Sequence, residues 1–167
     1  MKDRIDIEWS ATCDNALQHA IESLGELRLI KCHEAGHKIV AQVETLKKSA
    51  NCPTCGHPAK AKDRRNSIVQ DLPVNNKRLV LMWRKRVWAC SNPQCPQNTW
   101  TETADFVSSR HSLTTRAKLG LAHQALINHV PVAQLAREWN VSWATARSSI
   151  EEAKHLSTSW SEPWSIL

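Results

Sequence analysis

An α+β fold is predicted for this chain of 167 residues, on three observations. Two close cysteine pairs, Cys52/Cys55 and Cys90/Cys95, bracket a stretch that reads as strands. Apolar residues recur at helical spacing ahead of that stretch, from Asp14 to Leu24. They do so again beyond it, from Thr114 to about His155.

The first helical run places Ala16, Leu17, Ala20, Ile21 and Leu24 on one face, with Asp14 to cap it and Gly25 to stop it. Leu27 to Cys32 and Lys38 to Val43 read as two strands joined by Glu34-Ala35-Gly36-His37. Cys32, His33 and His37 lack a fourth donor and are not taken as a metal site. Cys13 and Cys32 have no partner at ligand spacing and are expected to remain free thiols. Lys47 to Asn51 is a polar link into the cysteine-bracketed segment.

Two residues separate Cys52 from Cys55, and four separate Cys90 from Cys95. A tight turn with two thiolates holds half of a tetrahedral zinc site, and two such turns complete it. Gly56 follows the first pair, and Ser91-Asn92-Pro93 lies within the second; these residues suit turns. Ile68–Leu72 and Arg78–Ala89 read as strands joined at Asn75-Asn76, so a hairpin brings the pairs together. One structural zinc ion held by Cys52, Cys55, Cys90 and Cys95 is the expectation, with His57 a surface neighbour. Four protein ligands leave no open position, which argues for scaffolding and against zinc catalysis.

The net charge is +6, and it is unevenly spread. Residues 1–50 sum to −1, residues 51–118 to +8 and residues 119–167 to −1. A basic surface beside a zinc scaffold suits a polyanion, and nucleic acid is the usual one. Lys60, Lys62, Arg64 and Arg65 leave the first cysteine turn, and Arg84 and Arg86 share one face of the later strand. Together they are expected to form a phosphate-binding stripe that sets affinity and register. No secretory signal or 18-residue apolar run is present, so a cytoplasmic, nucleoid-associated chain with no membrane contact is expected. Eight tryptophans stand beside one Phe and no Tyr, and core packing is expected of Trp83, Trp88, Trp100 and Trp139.

Thr114 or Thr115 caps a helix reaching about His129, with Leu119, Ala122, Leu126 and Ile127 among its apolar positions. Pro131 suits the first position of the next helix, about Val132–Trp139. Asn140 allows a left-handed turn, Val141 plugs it, and Ser142 caps a helix from Trp143 to about His155. This is the layout of a helix-turn-helix. Its outward residues Trp143, Thr145, Arg147 and Ser148 are the candidate DNA contacts, Arg147 being the best placed for guanine.

The fold class expected from these elements is α+β in four parts. A small helix and β-hairpin occupy 1–48, and a four-cysteine zinc ribbon 49–107. A C-terminal all-α helix-turn-helix spans 112–156, and a tail 157–167.

The runs C-P-T-C-G, K-D-R-R, V-Q-D-L-P, R-K-R-V-W-A-C-S-N-P-Q-C-P and T-W-T-E resemble the N-terminal zinc finger of insertion-sequence transposases of the ISL-three type. L-A-R-E-W-N-V-S-W-A-T-A-R resembles the module that follows it, and the resemblance covers about residues 25–155. It implies that the four cysteines are zinc ligands and that both modules recognise double-stranded DNA at element ends. Lys62 stands where that family usually has His, and Trp88 and Trp100 replace Phe or Tyr. The family's ribonuclease-H-like catalytic domain would follow. Only seventeen residues come after Ile150, with Glu151, Glu152 and Glu162 as their acids. Two-metal DNA chemistry needs a carboxylate cluster, so a truncated, non-catalytic relative is expected.

Four competing readings remain open: a stand-alone repressor of transcription or of transposition, a recognition subunit for a separate catalytic chain, an RNA-binding ribbon, and an unused fragment. Self-association, or association with a full-length transposase, is also left open.

Overall fold

The computed structural model describes residues 8–108 and 112–157. The chain divides after Ser112 into two compact units. The first begins with α1 (Asn15–Glu22), whose Asp14 carboxylate accepts from the Ala16 amide. Strands β1 (Leu27–Ala35), β2 (Lys38–Thr45), β3 (Ala59–Val74), β4 (Lys77–Cys90) and β5 (Thr99–Thr101) follow.

The strands form a single five-stranded sheet in the order β1-β2-β4-β3, with β5 on β4. Pairing is antiparallel except between β2 and β4, which run parallel from Lys38↔Arg78 to Val43↔Trp83. Asn75 and Asn76 turn β3 into β4 with φ of 50° and 58°. Two positive φ values are what a tight hairpin turn needs to match strand twist, and Asn tolerates them.

The core lies on one side of this sheet. Leu17 and Ile21 of α1 pack with Leu27, Ile39, Ala41, Val43, Val69, Leu79, Leu81 and Trp83. Ala104, Phe106 and Val107, beyond β5, complete it. The Phe106 ring meets Trp83 edge-on, with centroids 4.8 Å apart.

The second unit holds α2 (Thr115–Leu126), α3 (Val132–Glu138) and α4 (Trp143–Ser157). Thr114 caps α2 by accepting from the Ala117 amide at 3.1 Å. Pro131 stands just before α3 as its N-cap and not inside it. Asn140 takes φ 51°, and the Ser142 hydroxyl accepts from the Thr145 amide at 3.0 Å. Leu121, Leu135, Ala146 and Ile150 are buried, and the fully buried Lys118 ammonium donates to Glu152. No helix among the described residues is long and apolar enough to cross a membrane.

The expected fold class needs correction. The fold is mixed α+β, with one five-stranded sheet and four helices among the described residues. The hairpin β1–β2 is no separate N-terminal module, because β2 hydrogen-bonds to β4 and shares one core with the β3–β4 hairpin. The C-terminal all-α helix-turn-helix is not supported either. Three short helices bury their apolar sides on one another there, and α3 has only seven residues. A left-handed Asn between two helices is a general connection and does not by itself define a DNA-reading fold. The tail from 158 onward, and Glu162 with it, lies outside the described residues.

The expectation of free thiols at Cys13 and Cys32 is also overturned. The two are joined as a disulfide, with Cα atoms 6.1 Å apart. They lie nineteen positions apart in sequence, and the backbone pairing of Ser10 with Cys32 brings the strand to the segment that leads into α1.

Candidate functional site

The ends of the β3–β4 hairpin build the four-thiol cluster. In the first knuckle the Gly56 amide donates to the Cys52 carbonyl at 2.9 Å, and the Cys52 amide to the His57 carbonyl at 2.8 Å. Closing this loop requires φ 74° at Gly56, a left-handed value that glycine adopts without a Cβ clash. In the second knuckle the Cys95 amide donates to the Asn92 carbonyl at 3.2 Å, and the Asn92 amide to Cys90 Sγ at 3.4 Å. The register pair Ala59↔Cys90 holds the two knuckles side by side.

Cys52 Sγ lies 3.7 Å from Cys95 Sγ, and Cys55 Sγ lies 3.5 Å from Cys90 Sγ. All four sulfurs fall within 4.8 Å of one another. Thiolates about 2.3 Å from a tetrahedral zinc stand about 3.8 Å apart, so this donor set fits zinc. The thiols differ in acidity. Hydrogen bonding from the His57 backbone amide draws Cys55 down to about 6, against the opposing effect of burial. Burial would raise Cys52, but the Cys55 and Thr54 amides outweigh it and lower its pKa. Burial raises Cys90 and pushes Cys95 up to about 12. A zinc ion would take all four as thiolates, so its binding would release the protons that remain. His57 is exposed beside the knuckle, its ring nitrogen 3.3 Å from the Cys55 carbonyl.

The basic residues do not form one stripe. Strand alternation and a bulge between Ala61 and Asp63 divide them. Arg64 stands opposite Arg86, so these two and Arg84 share a face. Arg65 stands opposite Lys85 on the other face, with Lys60 opposite Ala89 and Lys62 at the bulge. Lys60, Lys62 and Arg65 are exposed.

Arg86 is not a free phosphate ligand. Its side chain is 7 % exposed and donates to Thr45 Oγ1 at 2.7 Å, while meeting Glu102 at 3.4 Å. Glu102 in turn accepts from the Arg86 amide at 2.8 Å and from Thr45 Oγ1 at 3.0 Å. Beside it, Glu44 is buried and faces Arg28 at 3.0 Å, Arg84 at 3.3 Å, Arg64 at 3.8 Å and Arg86 at 3.9 Å. Burial would raise the Glu44 carboxyl, but the Arg28 hydrogen bond and the charges of Arg84 and Arg64 hold it below the ordinary range. Neither Arg28 nor Glu44 stood out in the sequence, since both lie in the segment whose charges nearly cancel. The β1–β2 and β2–β4 registers together bring them to the arginines of the hairpin.

In the second unit, Trp143 is half exposed and the Arg147 guanidinium stacks 5.2 Å from its ring centroid. The Ser148 hydroxyl is spent on the Thr145 carbonyl at 3.1 Å, and the Thr145 hydroxyl meets Ser142 at 2.8 Å. Of these four candidates, Trp143, Arg147 and Ser148 are exposed and Thr145 is partly buried.

The knuckles and hairpin have a counterpart among known families. Residues 48–95 match the zinc-finger of transposase IS204/IS1001/IS1096/IS1165. The matched segment opens just before the first knuckle and closes at Cys95, the last of the four cysteines. A transposase-type zinc ribbon with a zinc-competent four-cysteine cluster is therefore part of this chain. Comparison with the curated proteins and with the solved structures returns no match.

Proposed function

We propose that this protein binds nucleic acid, double-stranded DNA first, on a sheet whose knuckle end is built by zinc. The observation that carries this reading is the pairing of a four-thiol zinc centre with a hairpin rich in accessible cations. Lys60, Lys62 and Arg65 are exposed on that hairpin, and Arg64 and Arg84 are half exposed. Arginine and lysine neutralise phosphates and release counterions, which supplies sequence-independent affinity. The likeness of residues 48–95 to a transposase zinc finger supports DNA at the ends of a mobile element as the target.

Cys52, Cys55, Cys90 and Cys95 would hold the zinc, which supplies folding energy to the ribbon. With its four positions filled by thiolates the ion has no site for substrate, so the proposed activity is binding and not catalysis. The sheet positions the cations, and Glu44 and Glu102 hold Arg84 and Arg86 in place. Arg147, stacked on Trp143, is a second proposed DNA contact.

The test is an anisotropy titration of the zinc-loaded chain against duplex DNA flanking its own gene, with scrambled duplex as competitor, at two salt concentrations. Binding that weakens steeply with salt, survives scrambled competitor and disappears in chelator is the expected result. Equal binding with and without zinc, or none in either state, overturns the proposal.

A further inference from the structure

We infer that Arg28, Arg64 and Arg84, gathered around the buried carboxylate of Glu44, form a built cradle for one phosphate of a nucleic-acid backbone. The inference rests on the nucleic-acid reading above and assigns a specific site to it. Three different strands supply the guanidiniums: Arg28 from β1, Arg84 from β4 and Arg64 from β3. Register makes the meeting obligatory. Arg28 stands opposite Glu44, Arg64 stands opposite Arg86, and Arg84 lies one residue beyond the Val43↔Trp83 pair.

The charges in this cluster do not cancel. Arg28, Arg64, Arg84 and Arg86 face Glu44 and Glu102, an excess of +2. Arg86 is buried and already serves Glu102 and Thr45, so it supports Glu44 from within. The other three are open to solvent, with side-chain exposures of 53 %, 33 % and 40 %, above a carboxylate that is 6 % exposed. A guanidinium offers five N–H donors in a planar fork. A single carboxylate occupies few of the fifteen that these three carry: Arg28 hydrogen-bonds to it, while Arg84 and Arg64 pair with it by charge at 3.3 Å and 3.8 Å. One buried anion thus aims three cations at one place while leaving most of their donors for a second, external anion. Arginine forks suit the paired oxygens of a phosphate.

A nucleic acid is favoured over other phosphates because the basic surface continues past the cradle. Lys62, exposed at the bulge, follows Arg64 toward the knuckles on the same strand, while Lys60, opposite Ala89, belongs to the other face. A single small anion would have no use for that extension, whereas a polyanion running along β3 would.

The experiment uses the full zinc-loaded chain and measures duplex affinity as a function of salt. Arg28→Ala with Arg84→Ala is compared with wild type and with Arg28→Lys plus Arg84→Lys. Loss of one phosphate contact is expected to reduce the slope of log K against log salt by about 1. It should weaken binding by roughly tenfold at low salt. The lysine variant keeps both charges and guards against misfolding; it should retain the slope yet bind several-fold more weakly for want of the forks. Inorganic pyrophosphate should compete with duplex for wild type and compete poorly for the alanine variant.

Duplex binding with an unchanged slope in the folded alanine variant overturns the cradle alone. Wild-type protein that binds no duplex overturns the nucleic-acid reading itself. Tighter, Arg28- and Arg84-dependent binding to phosphatidylserine vesicles than to duplex overturns the assignment of the cradle to nucleic acid.

Discussion

Glu44 shows how a single side chain can decide what its neighbours are for. It is an acid buried on a strand, where an unpaired carboxylate would be costly. Four guanidiniums answer it; burial would raise its pKa, but Arg28, Arg84 and Arg64 hold it below the usual value of 4.5. A depressed folded-state pKa adds stability above the unfolded value, and that stability is lost as pH falls through the folded value. Glu44→Gln is therefore expected to destabilise the protein at pH 7, by about 1–3 kcal/mol. That figure lies below the cost for a fully buried pair because three of the arginines reach solvent. The gap between the two proteins should close as pH drops below 4.5 and the wild-type carboxyl takes up its proton. Urea unfolding at several pH values measures it, and zinc loss in acid acts on both proteins alike. A gap independent of pH would mean that shape and not charge makes Glu44 matter. Arg86 carries the complementary lesson: in the sequence it looked like part of a phosphate stripe, yet burial gives it to Glu102 and Thr45.

At the scale of elements, local chemistry made some features legible and long-range pairing hid others. Asp14 and Ser142 cap helices where the sequence placed them, and Thr114 is the one of two candidate threonines that caps α2, because a cap needs only its own next three residues. Asn75-Asn76 marked the hairpin turn for the same reason. The zinc cluster was readable because each knuckle is local and the two spacings are distinctive. Strand β3 was read as five residues and is sixteen, since its polar first half, Ala59 to Ser67, shows no apolar alternation. Its bulge at Lys62, which splits the basic residues between two faces, has no sequence mark at all. The caps can be tested one at a time. The Thr114 side chain is fully buried, with no solvent to replace the bond it makes to the Ala117 amide. Thr114→Ala is expected to cost about 1–2 kcal/mol. A lower midpoint in thermal melting followed by helical circular dichroism checks it; an unchanged midpoint would show that α2 does not depend on its cap.

For the whole molecule, the informative feature is the parallel pairing of β2 with β4. Parallel neighbours require a long crossover and leave no local signature, so the sequence presented a hairpin and a ribbon as separate modules. In the folded chain β4 is a central strand, hydrogen-bonded to β3 along one edge and to β2 and β5 along the other. Its Leu79, Leu81 and Trp83 are buried against residues of α1, β1 and β2 as well as β3. The segment that matches a known zinc finger, 48–95, thus contains the metal centre but only part of the core that supports it. A chain lacking residues 1–46 should still bind one zinc through its four cysteines, because both knuckles lie beyond the cut. It should nevertheless expose Trp83 and lose cooperative unfolding of the sheet, since zinc orders the knuckle end while the apolar end stays uncovered. Tryptophan emission and urea denaturation in saturating zinc distinguish the outcomes. Red-shifted emission with a broad, shallow transition is expected, because the urea slope follows the surface exposed on unfolding. A sharp transition with native-like emission would mean that the ribbon is an independent module after all, and that β1 and β2 are additions to a core already complete.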